Sequence, residues 1–171
     1  GAASNGVPFF VGACANDTQC STGESCCSDG TCRNDCSAVA TGGAGIILRS
    51  EDGGATWAKI EQTRTTAILS ALAFSSATLG HAMGFAAQLS LRTQDAGKTW
   101  DTIWTPTGAY MLGMDFDGDI GLTVGGSGTV LRTGNGGTSW ALINPSPTTT
   151  ELRSVHLHGK LAIATGAAGT L

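Results

Sequence analysis

Charge is scarce in this chain, with 9 basic and 13 acidic side chains among 171 residues, 13% in all. So little charge excludes a coiled coil, a long-helix bundle and a charged disordered tail. The small excess is acidic, a net −4. No basic patch exists to displace counterions from a phosphate backbone, which argues against a nucleic-acid partner. No apolar run approaches about 18 residues, so no helix is expected to span a membrane. A basic start followed by an apolar stretch is also missing, so any secretory signal lies outside this sequence.

What fills the chain is small: 26 glycines and 23 threonines, against 4 prolines. Apolar residues make up 41%, enough to bury a core and to exclude disorder. Small residues, many threonines and little charge point to an all-β chain with many tight turns.

An internal repeat organises nearly everything. Ser50-Glu51-Asp52-Gly53-Gly54-Ala55-Thr56-Trp57, Thr93-Gln94-Asp95-Ala96-Gly97-Lys98-Thr99-Trp100 and Thr133-Gly134-Asn135-Gly136-Gly137-Thr138-Ser139-Trp140 superpose without gaps. Their rule is Ser/Thr-x-Asp/Asn-x-Gly-x-Thr/Ser-Trp. The tryptophans stand 43 and then 40 residues apart, a propeller-blade period. Apolar residues and an arginine precede each copy, ending in Arg49, Arg92 and Arg132. Upstream comes Gly-x-x-Gly, at 42–45 and 125–128, replaced in the second copy by Phe85-Ala86-Ala87-Gln88.

The spacing predicts four short strands per period. In the second copy these are Ile68–Ser75, Gly80–Ala86, Gln88–Thr93 and Lys98–Trp104; in the third, Tyr110–Asp117, Asp119–Gly125, Thr129–Thr133 and Thr138–Asn144. A fourth copy starts at Glu151–His158, continues through Lys160–Thr165 and stops in its third strand. Four-stranded units of about 40 residues fit a β-propeller. The expectation is an all-β propeller fragment of about four blades, part of a larger ring. Its next residues should be an apolar residue, an arginine and another octapeptide. An open ring ending in an unpaired edge should associate or aggregate.

Each octapeptide falls between third and fourth strands and must close a hairpin. Asp52 and Asp95 accept amide hydrogen bonds within their own turn, and Asn135 replaces them because the role needs an oxygen, not a charge. The Ser/Thr hydroxyls at Ser50, Thr93 and Thr133, and at Thr56, Thr99 and Ser139, join that network. Gly54, Gly97 and Gly137 tolerate positive φ, and Trp57, Trp100 and Trp140 pack between units. A structural role explains every position, so these acids are not catalytic candidates.

These segments resemble bacterial neuraminidase repeats, also called Asp-boxes. With the Gly-x-x-Gly and the repeated arginine, residues 37 to 171 resemble the photosystem II stability and assembly factor family. The resemblance implies a non-enzymatic propeller that binds a partner polypeptide through an arginine-lined surface, with Arg49, Arg92 and Arg132 at the repeated arginine. The alternative is that these arginines pair with neighbouring acids or stack on a tryptophan. Sialidases, xyloglucan hydrolases and sortilin-type receptors share the box. A secreted glycoside hydrolase, with a glycan as ligand, and a sortilin-like receptor therefore stand as alternatives.

Cys14, Cys20, Cys26, Cys27, Cys32 and Cys36 crowd into one polar stretch with almost nothing apolar. It cannot fold by burial, so three disulfides are expected rather than zinc, among fifteen possible pairings. The spacing resembles knottin-like mini-domains. Disulfides imply an oxidising compartment: secreted, periplasmic or cell-surface. Because Ser37–Gly42 aligns with a second strand, Val7–Ala13 is read as the first strand of the same blade and 14–36 as an insertion. The organisation is then 1–13 and 37–62 for blade one, 63–105, 106–145 and an incomplete 146–171.

Neither a cofactor nor a metal is expected. Asp115-Phe116-Asp117-Gly118-Asp119 lacks the glycine and glutamate of an EF-hand loop and reads as a hairpin turn. His156 and His158 share a strand face without a visible third ligand, and read as surface histidines. Sialidase chemistry needs a tyrosine with a carboxylate base and an arginine trio. Tyr110 is the only tyrosine, and no acidic cluster besides the boxes accompanies it in sequence.

Overall fold

The computed structural model describes residues 25–26, 32–33, 36–61, 64–85, 88–159 and 161–170. Among them the chain is all-β, with single turns of 3-10 helix and no helix long and apolar enough to cross a membrane. It divides into two compact units, Gly1–Ala38 with Ser50–Trp57, and Val39–Arg49 with Ala58–Leu171.

In the smaller unit, β1 (Ser25–Cys26) and β2 (Cys32–Arg33) form an antiparallel pair with Cys26 opposite Cys32. Cys36 is disulfide-bonded, and its carbonyl accepts a hydrogen bond from the Gly53 amide at 2.7 Å. The strand expected at Val7–Ala13 and most of the 14–36 segment lie outside the described residues.

Four antiparallel sheets follow in chain order. Sheet one is β3 (Ala38–Thr41), β4 (Ile47–Ser50) and β5 (Ala58–Lys59). Sheet two is β6 (Leu69–Phe74), β7 (Gly80–Gly84), β8 (Leu89–Thr93) and β9 (Asp101–Trp104). Sheet three is β10 (Met111–Asp117), β11 (Ile120–Gly125), β12 (Val130–Thr133) and β13 (Ala141–Leu142). Sheet four is β14 (Leu152–His158) with β15 (Leu161–Gly166). Within each sheet every strand pairs with the next in sequence, so antiparallel turns make the connections inside a sheet.

The fourth strands begin later than the spacing predicts, at Asp101 rather than Lys98 and at Ala141 rather than Thr138. The intervening residues are spent in the turns, where the Thr99 amide donates to Asp95 Oδ1 and the Thr138 amide to the Asn135 carbonyl. A residue bonded into a turn is not free to join a ladder.

Apolar clusters lie between consecutive sheets. Ile47, Leu69, Ala82, Leu91 and Trp100 join sheets one and two, with Val39, Ile60 and Leu72 at the margin. Ala71, Met83, Met111, Leu131 and Trp140 join sheets two and three. Val124, Val130, Leu152 and Val155 join sheets three and four. Because sheet two is covered on both faces, β7 is buried at every residue and does not show the alternation of a half-exposed strand.

The Gly-x-x-Gly step has a direct cause. It forms a 3-10 turn whose middle residue is left-handed, Ala44 and Ser127 both at φ 53. The closing Gly128 has φ +69, and a Cβ there would strike the Thr148 carbonyl of the chain entering sheet four. The turn thus lets backbone meet backbone between neighbouring sheets. Across sheets one and two, Leu69 N donates to Gly42 O at 3.0 Å and Gly45 N to Ala67 O at 2.8 Å.

Candidate functional site: an aromatic and charged cleft

The octapeptides are closed networks. Ser50 Oγ, Thr93 Oγ1 and Thr133 Oγ1 each donate to the Oδ1 two residues on, at 2.7, 2.8 and 2.8 Å. The same hydroxyls accept the amides of Gly54, Gly97 and Gly137. Asp52 also accepts from the Thr56 amide and hydroxyl, and Asp95 from those of Thr99. In the third copy Asn135 accepts the Ser139 amide and donates its own NH2 to Ser139 Oγ. The Thr56 hydroxyl, then its amide, then Ser50 hold the Asp52 carboxyl down to about 2. For Asp95 burial pushes up, but bonds from Thr99 and Thr93 outweigh it and lower the pKa. Carboxylates so fully occupied are poor proton carriers.

Trp100 and Trp140 occupy different inter-sheet clusters and are 3% and 7% exposed. Trp57, in the smaller unit, is 44% exposed and donates Nε1–H to Gly54 O at 3.0 Å. Trp100 makes the same bond to Gly97 O at 3.1 Å, whereas Trp140 Nε1 is buried without a partner.

Arg49, Arg92 and Arg132 lie on β4, β8 and β12, equivalent strands in three different environments. Arg49 is buried and donates Nε–H to Ala96 O at 2.8 Å. Arg92 is half-buried, with its Nε enclosed and without a bond. Arg132 is exposed. Among the acids and imidazoles read as bland, Asp115 Oδ2 accepts the Leu157 amide and lies 2.9 Å from His156 Nδ1, while Asp117 accepts the Gly159 amide. These bonds tie β10 and its turn to sheet four. Among the described residues, no three His, Cys, Asp or Glu side chains are grouped to hold a metal ion.

The structure assembles one further group that sequence reading missed. Tyr110 donates its hydroxyl to Glu151 Oε2 at 2.7 Å, and Arg153 Nε donates to Glu151 Oε1 at 2.8 Å. The Phe85 ring stacks on Tyr110, centroids 4.7 Å apart and 4° from parallel. With Leu112 these residues line an open cleft of about 560 Å³. The bond from Tyr110 lowers the Glu151 pKa, with Arg153 adding to it, and the same bond raises the tyrosine above its ordinary 10. The phenol is therefore a hydrogen-bond donor to Glu151, the group that would serve as base if the tyrosine acted as a nucleophile.

A signal for this group existed. Ile68, Tyr110 and Glu151 are repeat-equivalent: their carbonyls accept the amides of Phe85, Gly126 and Ala167 at 2.9, 3.0 and 2.9 Å. Residues at one station of successive sheets are neighbours, so the 41-residue offset between Tyr110 and Glu151 marks a contact.

No family model and no curated protein matches the chain. Solved structures do. YCF48 from Cyanidioschyzon merolae superposes with a TM-score of 0.55 at 24% identity, over 77% of this chain and 46% of that one. YCF48 bound to a D1 peptide gives 0.52 at 23%, over 59% and 35%. The WD40 repeats of RRP9 give 0.58 at 16%, over 84% and 45%. The chain thus spans less than half the length of each of these proteins, and it is a partial β-propeller. Likeness at such identities carries the fold and no activity.

Proposed function

We propose that the chain is a non-catalytic propeller scaffold that binds a protein or peptide partner, with the Phe85–Tyr110–Leu112–Glu151–Arg153 cleft as its contact. The observation that carries this reading is the make-up of the cleft. A flat aromatic stack and Leu112 offer apolar surface beside an Arg153 side chain that is 66% exposed. That combination suits an extended peptide, which brings apolar side chains and carbonyl or carboxylate oxygens together. The peptide-bound YCF48 neighbour supports the choice of partner class by analogy of fold. In its finer form the reading is an extracytoplasmic protein of the photosystem II assembly-factor kind, with Arg92 and Arg132 adding cationic surface. The six cysteines support the oxidising location.

A D1 peptide and a displayed library of random linear peptides are the probes. The full chain should retain peptides that Tyr110→Ala and Arg153→Glu variants release. Retention of none, or equal retention by all three proteins, would sink the reading. The Tyr110–Glu151 contact favours a glycoside hydrolase as second reading. Turnover of a sialoside or of xyloglucan, abolished by Tyr110→Phe, would establish it in place of the scaffold.

A further inference from the structure

Among the described residues, the side-chain nitrogens and oxygens enclosed without a protein partner are His81 Nδ1, Ser90 Oγ, Arg92 Nε and Trp140 Nε1. All four lie at the contact between sheets two and three. β7 and β8 pair with His81 opposite Arg92 and with Ala82 opposite Leu91. Ala82 and Leu91 pack toward sheet one, so alternation along the strands turns His81, Ser90 and Arg92 toward sheet three. Trp140 packs there beside Met83, and its ring stands edge-on to His81 with centroids 5.9 Å apart. His81 is 0% and Ser90 2% exposed.

The repeat makes these polar groups conspicuous. At the places of His81 and Ser90, sheet one has Val39 and Ile47, which belong to the cluster shared with sheet two. Sheet three has Leu122 and Val130, which belong to the cluster shared with sheet four. Two apolar residues have thus become polar, on neighbouring strands and on one face. The tryptophan changes with them: Trp100 donates Nε1–H to Gly97 O, and Trp140 makes no such bond. An enclosed polar atom without a partner is destabilising, so four at one contact call for a common partner.

The donor and acceptor set says what that partner is. His81 Nε2 lies 2.8 Å from Gly136 O, a carbonyl that can only accept, so Nε2 carries the hydrogen and Nδ1 presents a lone pair. Burial keeps the imidazole neutral at pH 7, with its pKa lowered to about 4. Indole Nε1–H and guanidinium Nε–H can only donate, and a serine hydroxyl does either. The partner must therefore accept and donate at once. An anion would leave the imidazole lone pair unmet, and a metal cation would face two N–H donors and the Arg92 charge. Water meets both demands. We infer that the contact between sheets two and three is an internal water-binding site. Its water accepts from Trp140 Nε1–H and Arg92 Nε–H, donates to His81 Nδ1, and shares a hydrogen bond with Ser90 Oγ. Bound water then does at this contact what the Val39 and Ile47 side chains do by packing at the one before it. The assignment is independent of the cleft.

The test is nuclear magnetic resonance of the full chain labelled with 15N, reading the indole N–H protons for cross-relaxation with water in rotating-frame spectra. Trp140→Phe assigns the Trp140 signal. That proton should show a water cross-peak with the dipolar sign of a long-lived bound molecule. Trp100 is equally buried and bonded to Gly97 O, so it should show none. Restoring the apolar residues of the neighbouring sheets, with His81→Val and Ser90→Val together, should abolish the Trp140 cross-peak. A Trp140 proton as silent as that of Trp100 overturns the inference. So does a cross-peak with the sign of chemical exchange, which would mean that the indole opens to solvent, or one that the double variant leaves intact. The comparison of Trp140 with Trp100 is made within the parent protein, so it decides the question even if the double variant fails to fold.

Discussion

Arg49 Nε and the carbonyl oxygen of Ala96 lie 2.8 Å apart, joined across 47 residues of sequence. At the next interface the acceptor recurs as Gly136 O, but its partner is His81, also at 2.8 Å. Arg92, which occupies the place of Arg49, is left with its Nε enclosed and unbonded. At this interface the imidazole, and not the arginine, holds the carbonyl.

That exchange makes the second interface sensitive to acid. Burial, offset in part by the Gly136 bond and reinforced by Arg92, lowers the His81 pKa from 6.5 to about 4. Between those values the unfolded chain takes up a proton that the folded chain refuses, so stability falls as pH drops through this window. The full loss is about 3 kcal/mol at most. Urea unfolding at pH 7 and near pH 4.5 should show the difference, and His81→Val should flatten it. An unchanged slope in the variant would assign the effect elsewhere.

The turns predict an asymmetry between two small substitutions. Asn135 fills the Asp position, its oxygen accepting at 2.8 and 3.0 Å where that of Asp95 accepts at 2.8 and 2.9 Å, so Asp95→Asn should cost under about 1 kcal/mol. Asp95→Ala removes the acceptor for the Thr99 amide, the Thr99 hydroxyl and the Thr93 hydroxyl, and should cost about 1–3 kcal/mol. Thermal unfolding of the two variants measures the gap. Equal losses would mean that charge, and not the oxygen, holds the turn.

Tryptophans at the same step of the repeat should not weigh the same. Trp100 is 3% exposed inside a cluster between sheets, and Trp57 is 44% exposed. Trp100→Ala should cost about 3–5 kcal/mol, and Trp57→Ala about 1 kcal/mol or less. Denaturant midpoints for the two variants decide it.

How far these features could be read in advance depends on whether the repeat kept the same residue. The spaced octapeptides pointed to an all-β propeller because the hydroxyl, the side-chain oxygen, the glycine and the tryptophan recur at the same steps three times over. The cleft stayed hidden for the opposite reason: its station carries Ile68, Tyr110 and Glu151, three unlike side chains with no common pattern to notice. His81 was equally silent, since its equivalents Val39, Leu122 and Ile163 are apolar. The late start of the fourth strands escaped because strand propensity at Thr99 and Thr138 does not reveal that their amides are already bonded in a turn.

The cleft can be examined through its own chromophore. Tyr110 is the only tyrosine in the chain, so ultraviolet difference spectroscopy of phenolate formation reports one site. Its bond to Glu151, with some burial and the carboxylate charge, raises the pKa above 10, while Arg153 pulls slightly the other way. Glu151→Gln removes the negative charge and should bring the titration back toward 10. Arg153→Gln removes the opposing cation and should move it further up. If both variants titrate with the parent protein, the contact does not persist in solution, and the cleft is not held together by Glu151. A bound peptide that covers the stack should delay phenolate formation as well, which ties the spectroscopic reading to occupancy of the site.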